Sequence, residues 1–268
     1  MPFCCKILLL LYHRLYSEVS ALKFFIAFFL AVSAASAAEL PNLGIIGGFM
    51  ATPGQFPYQV SIQINGRQHC GGTIIAPNVV ITAGHCVHQL DTSQMTVVAG
   101  TVNRLAGGAK LRISRVSIHS QYDPSINAYD AAILFLQGSF QLDENVKAAQ
   151  LPPEGDVLYS NAVATVSGWG SEYHQGVPSY SLKYVTIPLW SRDQCLQYVP
   201  YLPVSHLCAG DPSGQRNSCP GDSGGPLCIN QKLIGIVSGG FGCGAYNQPA
   251  LYTYVAGIRA WIRQITQL

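Results

Sequence analysis

A serine flanked by glycines, Ser223, is the strongest candidate for chemistry in this chain. It lies in the run Gly221-Asp222-Ser223-Gly224-Gly225-Pro226-Leu227. A serine hydroxyl is a weak nucleophile, so catalysis at Ser223 needs a base and hydrogen-bond donors for a developing oxyanion. Because Gly221 has no side chain, its backbone N–H and that of Ser223 can turn inward together and serve as those donors.

Two further runs provide a base and a partner for it. A Thr-Ala-Gly-His-Cys run ends at Cys86, and a Tyr-Asp-Ala-Ala-Ile-Leu run begins at Tyr129. They place His85, Asp130 and Ser223 in an order along the chain that is known for Ser-His-Asp catalytic triads. Asp130 directly precedes an apolar run, and burial of a lone carboxylate is costly, so a partner such as His85 is expected.

With these motifs the chain resembles serine proteases of the chymotrypsin/trypsin family. The resemblance runs from Ile45 to the C-terminus and includes the ordered segments Ile45-Ile46-Gly47-Gly48, Pro57-Tyr58, Cys70-Gly71-Gly72, Ser167-Gly168-Trp169-Gly170 and Gly235-Ile236-Val237-Ser238. It implies that Ser223 attacks the scissile carbonyl, His85 takes and returns the proton, and Asp130 orients the imidazole. It also implies that the N–H groups of Gly221 and Ser223 form the oxyanion hole.

Short segments rich in β-branched residues and separated by Gly, Pro or Asn predict an all-β fold. They cover 58–64, 72–75, 79–82, 95–99, 162–166, 182–187, 232–237 and 251–255. The resemblance arranges such strands as two six-stranded antiparallel β-barrels with the active site in the cleft between them. Apolar residues at a helical period from Val255 to Ile265 predict a C-terminal helix, whose apolar stripe we expect to pack on the second barrel.

Composition and charge disfavour several classes of function. The 268-residue chain has a formal net charge of +2, with no stripe of Lys and Arg to bind nucleic acid. After residue 38 it has no repeat or low-complexity tract, and the remaining ~220 residues can form one domain. No cofactor is expected. Some relatives bind calcium in a loop of the first barrel, but 101–116 contains no Asp or Glu, so no metal is expected there.

The N-terminal region predicts export. An uncharged, largely apolar stretch at 24–38 contains Ala35-Ser36-Ala37, which matches a signal-peptidase cleavage pattern. We predict a signal peptide at 1–37, a short activation peptide at 38–44 and a secreted, extracellular protease domain at 45–268. The apolar stretch is shorter than the roughly 20 residues that span a bilayer, so no membrane association is expected. The region before it is long, which a true start downstream of Met1 would explain; a signal anchor is the alternative.

Seven of the nine cysteines follow the signal region, as is typical of an exported protein. The resemblance implies three disulfides, Cys70–Cys86, Cys195–Cys208 and Cys219–Cys243. Cys228 is left without a partner, because the family bridge in that region begins one residue later and ends where this chain has Ala164. We predict that Cys228 is a buried, inert thiol; a reactive or intermolecular cysteine is the alternative.

The resemblance implies activation by cleavage before Ile45, whose new amino group would pair with Asp222 and hold Gly221 in its oxyanion-binding shape. Most zymogens of the family have Arg or Lys before that bond, but this chain has Gly44. A trypsin-like activator should not cut there. We therefore expect an activating protease of non-tryptic specificity, or several trimming steps through 38–44.

Four residues are candidates for substrate binding: Asn217, Ser238, Gly240 and Ala250. Asn217 lies six positions before the nucleophile, at the pocket floor in the family, where trypsin-like enzymes have Asp. Asn cannot supply the negative charge that a buried Lys or Arg would need. Gly240 should leave the entrance open, and Ala250 narrows the depth by a methyl group. We predict cleavage after large, uncharged apolar or aromatic residues; an elastase-like preference for small residues is the alternative.

The expected partners are protein or peptide substrates, the activating protease and protein inhibitors of proteases, and the protease is expected to be a monomer. A rival interpretation is a catalytically silent homologue that acts as a binding or regulatory module. Gly44 suggests it, and so does Gly239, where a Trp commonly holds the substrate. The other histidines are predicted to be surface or structural residues: His13, His69, His88, His119, His174 and His206.

Overall fold

The computed structural model describes residues 45–171, 176–240 and 242–268. The predicted signal peptide, the activation peptide with Gly44, His13 and His174 lie outside the described residues. In the described ranges, no helix has the length and apolar character needed to span a bilayer.

The described ranges contain thirteen β-strands. The strands of the first half are β1 (Phe49–Met50), β2 (Gln59–Ile64), β3 (Arg67–Ala76), β4 (Val79–Thr82), β5 (Met95–Ala99), β6 (Ala109–Ile118) and β7 (Ala132–Leu136). Those of the second half are β8 (Val163–Gly168), β9 (Lys183–Trp190), β10 (His206–Ala209), β11 (Pro226–Ile229), β12 (Lys232–Gly240) and β13 (Ala250–Tyr254).

These strands form two closed antiparallel barrels, as the resemblance implied. The first barrel has the strand order β2-β3-β4-β7-β6-β5, and the second has β9-β10-β13-β12-β11-β8 and closes by pairing of β8 with β9. The short strand β1 pairs with the first two residues of β9. Buried and more exposed residues alternate along β9, the two-residue period of a strand with one face on a core.

Two α-helices accompany the barrels in the part of the chain that the structure describes. Helix α1 (Arg192–Leu196) begins at a capping box in which the Ser191 and Gln194 side chains each bond the other's backbone N–H. A 3-10 turn (Val255–Ile258) leads into the C-terminal helix α2 (Arg259–Thr266).

The packing of α2 differs from our expectation. Ile258 and Ile262 join the core cluster of the first barrel, and the ring of Trp261 lies 4.8 Å from that of His119. Side chains of β11 and β12 also reach this cluster. The helix therefore packs mainly on the first barrel. Helical periodicity identifies the face of a helix that is buried but not the surface that buries it.

The structure contains the three implied disulfides, Cys70–Cys86, Cys195–Cys208 and Cys219–Cys243. Cys228 is a buried free cysteine whose thiol contacts the hydroxyl of Tyr58. Burial raises the pKa of Cys228 to about 12, so the thiol is protonated at neutral pH. Because only the thiolate is strongly nucleophilic, this surrounding favours the inert interpretation over a reactive one.

Candidate active site

His85 and Asp130 are brought together by two paired strands. His85 lies in a single 3-10 turn directly after β4, and Asp130 lies two residues before β7. These strands are antiparallel neighbours, with Thr82 opposite Ala132, so the end of one lies beside the start of the other. The local sequence and the sheet register together place the two side chains at one edge of the first barrel.

Two hydrogen bonds join the pair. His85 Nδ1 lies 2.7 Å from Asp130 Oδ2, and the His85 backbone N–H donates to Oδ1 at 2.8 Å. The carboxylate is completely buried, whereas 29 % of the His85 side chain is exposed. Because an ionised carboxylate only accepts hydrogen bonds, Nδ1 carries the proton and Nε2 is left as the basic nitrogen. This is the tautomer that a general base requires.

Asp130 has a further donor from the second barrel. The Ser238 hydroxyl donates to Oδ2 at 2.6 Å, and the Thr253 hydroxyl donates to the Asp130 backbone carbonyl at 2.7 Å. Donors to the carboxylate offset the cost of burying its charge. Ser238 was also predicted to bind substrate; its hydroxyl is bonded to Asp130, and a substrate contact of this residue stays a prediction.

Ser223 lies in a tight turn before β11. Gly221 in this turn has φ of +99°, and a Cβ there would lie 3.0 Å from the Gly170 backbone. Gly224 has φ of +78°, and a Cβ there would lie 2.1 Å from the Thr82 hydroxyl. Positive φ and close backbone approach explain why the motif needs glycine at both positions.

The turn is attached to both barrels. The Gly71 N–H donates to the Ser223 carbonyl at 2.7 Å, next to the Cys70–Cys86 disulfide, and the Gly224 N–H donates to the Val237 carbonyl at 2.7 Å. Ser223 is half-buried and lines the cleft.

No hydrogen bond joins Ser223 to His85 in the described residues, and His85 Nε2 instead lies 3.7 Å from Cys86 Sγ. Contacts between a nucleophile and its base are often long before substrate binds.

Asp222 is completely buried in a cradle of backbone. It accepts hydrogen bonds from the N–H groups of Gly170 at 2.7 Å and Cys219 at 2.9 Å. A Cβ on Gly168 would lie 2.0 Å from Asp222 Oδ1, so the cradle has no room for a side chain. Burial raises the pKa of Asp222 to about 7. A group with such a pKa gains greatly from a nearby cation.

Ile45, the described residue at the predicted activation site, is also buried. Ile45 is fully buried in the core cluster of the second barrel, and the Ile46 carbonyl accepts a hydrogen bond from the Asn217 N–H at 3.3 Å. Both Ile45 and Asp222 therefore lie in or beside the second barrel.

A cleft of about 200 Å³ opens beside Ser223. Its described lining consists of Ser218, Cys219, Pro220, Ser223, Val237, Gly239, Gly240, Gly242, Cys243 and Ala250. None of these lining residues carries a charged side chain. A Cβ built on Gly239 or Gly242 would meet no other atom within 4 Å, so the wall is open at both positions. Gly240 and Ala250, which the sequence predicted to bind substrate, both line this cleft.

Asn217, predicted to form the pocket floor, is fully buried and directly precedes the lining residue Ser218, but it is not itself part of the described lining. Its Oδ1 accepts from the Ser218 N–H at 2.9 Å, and its Nδ2 donates to the Gln248 carbonyl at 3.1 Å. Both ends of the side-chain amide are therefore bonded to backbone rather than directed at a substrate.

His206 is a buried histidine near the site that the sequence analysis predicted to be a surface or structural residue. His206, the first residue of β10, bonds Ser238, the same serine that donates to Asp130. Ser238 and Asp130 are distant from His206 in the chain, so no local pattern could have revealed this contact.

Comparison with known proteins agrees with this geometry. The sequence model of the Trypsin family matches residues 45–262. A trypsin of Phaedon cochleariae is 35 % identical over 233 residues, which cover 85 % of this chain and 90 % of the relative. A trypsin of Simulium vittatum is 37 % identical over 79 % of this chain and 88 % of its own length. Hypodermin-B of Hypoderma lineatum is 37 % identical over 84 % of this chain and 89 % of its own length.

The family match covers both barrels, and the relatives align over most of their own length. The chain therefore belongs to the trypsin family and is a serine endopeptidase, a hydrolase of protein substrates.

Proposed function

We propose that the protein is secreted and that residues 45–268 form a monomeric endopeptidase that works through an acyl-enzyme on Ser223. The observation that carries this proposal is the 2.7 Å contact between His85 Nδ1 and the buried Asp130 carboxylate. It leaves Nε2 unprotonated and partly exposed, as a base for Ser223 must be.

In the proposed reaction, Ser223 Oγ attacks the scissile carbonyl while its proton passes to His85 Nε2. The carbonyl oxygen becomes an oxyanion that the N–H groups of Gly221 and Ser223 stabilise. His85 then gives the proton to the leaving amine, and the C–N bond breaks. Water attacks the acyl-enzyme with His85 again as base, which releases the acid and restores Ser223. The Asp130 charge stabilises the imidazolium in both halves.

We propose that the enzyme cleaves after uncharged residues, with large apolar or aromatic side chains preferred. The described lining of the cleft lacks a charged side chain, and Asn217, next to the lining residue Ser218, is neutral and already paired with backbone. A Lys or Arg side chain there would lose water without gaining a counter-charge. The similar proteins of Phaedon cochleariae and Simulium vittatum are both named trypsin. That name applies to those two proteins and does not set the specificity proposed for this one.

Peptide substrates that differ only at the residue before the scissile bond test this preference. We expect kcat/KM to be highest for Phe, Tyr or Leu and at least tenfold lower for Arg. A maximum at Ala would indicate the elastase-like alternative, and a maximum at Arg would contradict the proposal. The Ser223→Ala variant is the control for a contaminating protease.

We further propose that activation cuts after Gly44 and that the new Ile45 amino group pairs with Asp222. Its support is the raised pKa of Asp222 and the burial of both residues. The activator would be a protease of non-tryptic specificity, and protein protease inhibitors are expected partners. Mass spectrometry of the mature chain tests this, and an N-terminus other than Ile45 would contradict it.

A catalytically silent homologue predicts a different result. Such a protein would begin at Ile45 after processing and bind peptides, yet would hydrolyse none of the panel. All three candidate triad residues are present, and His85 has the tautomer required of a base, so we favour the enzyme.

A further inference from the structure

A chain of hydrogen bonds continues from Asp130 into the second barrel. Behind Ser238, whose hydroxyl donates to Asp130, His206 Nε2 lies 3.0 Å from the Ser238 hydroxyl. His206 Nδ1 lies 3.2 Å from the Ser205 hydroxyl, which accepts the Tyr129 N–H at 2.8 Å. Tyr129 directly precedes Asp130, so this series of hydrogen bonds begins and ends in the same segment of the first barrel.

The chemistry of these groups determines where every proton lies. Ser238 has one hydrogen, and it goes to Asp130, which can only accept. The Ser238 oxygen must therefore accept from His206 Nε2–H. Ser205 accepts from a backbone N–H and has its own hydrogen left for His206 Nδ1. A neutral imidazole protonated at Nε2 satisfies every member of the chain.

The surroundings of His206 support this neutral form. The residue is 6 % exposed, and burial lowers its pKa to about 4. The charged or titratable groups that act on the chain are Asp130 with His85, Tyr122 beside Asp130, and Arg192 of α1. The Asp130 charge favours protonation of His206 and the Arg192 charge opposes it, but burial has the larger effect.

We propose that His206 is a positioning residue of this protease, which acts through Ser238 to hold the Asp130 carboxylate and to tune the basicity of His85. This inference rests on the proposed function of the triad. The donors from Ser205 to Asp130 all point in one direction, and hydrogen bonds aligned in this way polarise one another. A polarised Ser238 hydroxyl donates a stronger hydrogen bond to Asp130 and so reduces the negative charge that the carboxylate presents to His85. The imidazolium form of His85 is then stabilised less, which lowers the pKa of His85.

Replacement of His206 by Leu removes the donor and keeps an apolar volume. Ser238 would then donate less strongly, Asp130 would present more negative charge to His85, and the pKa of His85 would rise. We expect the acid limb of kcat/KM to move upward by roughly 0.5 pH unit. We also expect kcat to fall roughly threefold to tenfold, with KM changed by less than about twofold.

His206→Gln is the rescue variant, because its amide nitrogen can take the place of Nε2 and donate to Ser238. His206→Asn carries the same amide closer to the backbone, where it cannot reach Ser238. We expect the Gln variant to keep the wild-type acid limb and the Asn variant to behave as Leu. This pair still tests the proposal if the Leu variant fails to fold. His119→Leu is the control, since His119 is similarly buried and, among the described residues, its ring accepts from the Gln121 N–H and forms no hydrogen bond to Asp130 or Ser238.

The titration of His85 is best followed by NMR with labelled histidine in the Ser223→Ala background. This readout needs no hydrolysis, so a failure of the proposed catalytic function would appear separately, as an inactive wild type. A higher His85 midpoint in the Leu and Asn variants, with Gln like wild type, supports the proposal. Equal midpoints in all variants, or the same shift in Gln as in Asn, would show that His206 is only a packing residue.

Discussion

Ser238 of the second barrel donates its hydroxyl to the carboxylate of Asp130, which the first barrel contributes, at 2.6 Å. The carboxylate is completely buried, and the same oxygen, Oδ2, contacts His85 Nδ1 at 2.7 Å. The orientation of the candidate base is therefore determined by both barrels. Changes on either side of the cleft should affect the same step of the reaction.

The Asp130→Asn variant tests the orientation of His85. The amide would offer an N–H to Nδ1, which favours the tautomer protonated at Nε2, and that form cannot accept the Ser223 proton. We expect kcat to fall about 10⁴-fold with little change in melting temperature. Steady-state kinetics against Asp193→Asn, an exposed position in α1, provides the comparison. A loss below tenfold would mean that Asp130 does not orient the base.

The Gly221→Ala variant tests the oxyanion hole. Its φ of +99° is strained for alanine, and the new Cβ would lie 3.0 Å from the Gly170 backbone. The turn must shift, so we expect kcat to fall about 10² to 10³-fold. Gly155→Ala is the matched control, because Gly155 also has a positive φ of +69° but no atom within 4 Å of an added Cβ. Equal kinetic effects in the two variants would refute the assignment.

The Asp222→Asn variant tests the buried carboxyl in the uncleaved chain. Its folded pKa of about 7 lies above the ordinary value of 3.8, so between these pH values the folded chain binds more protons than the unfolded chain. Stability must therefore fall as the pH rises through this window, by on the order of 4 kcal/mol. Asn removes this dependence. Urea unfolding of the Ser223→Ala precursor, with and without the substitution, measures it.

His206 contributes a pH dependence of stability opposite in sign to that of Asp222. Its folded pKa of about 4 lies below the ordinary 6.5, so the unfolded chain binds more protons in this window. The associated stability is present above pH 6.5 and is lost as the pH falls toward 4, by about 3 kcal/mol. His206→Gln should be less sensitive to acid over this range. The contributions of Asp222 and His206 to the pH dependence oppose each other, so the unfolding free energy of each variant must be compared with that of its parent at every pH. If His206→Gln were as sensitive to acid as its parent, His206 would not be buried in its neutral form.

Strands whose residues show a clear local pattern could be predicted from sequence. The bounds of β4 and β5 agree with the predicted 79–82 and 95–99, because both strands are short, apolar and bounded by turns. β6 was missed because it is largely exposed and carries Lys110, Arg112 and Arg115, which hide its alternation. β10 and β11 were missed because, unlike the four-residue β4 with its Val-Val-Ile-Thr sequence, they contain at most one β-branched residue.

Contacts between distant segments could not be predicted. The roles of Ser238 and His206 depend on Asp130, which lies on the other barrel. The orientation of Asn217 depends on the Gln248 carbonyl in a later loop. A sequence shows which side chains can form hydrogen bonds, but the partner is determined only when the barrels pack.

The most direct test of the central claim is to label the secreted protein with a fluorophosphonate probe and to locate the adduct by mass spectrometry. The same spectrum gives the N-terminus of the labelled chain. We predict a single adduct on Ser223 in a chain that begins at Ile45, absent from Ser223→Ala and retained in Ser213→Ala, an exposed serine. A processed chain that begins at Ile45 and takes no label would contradict the claim that this triad is catalytic.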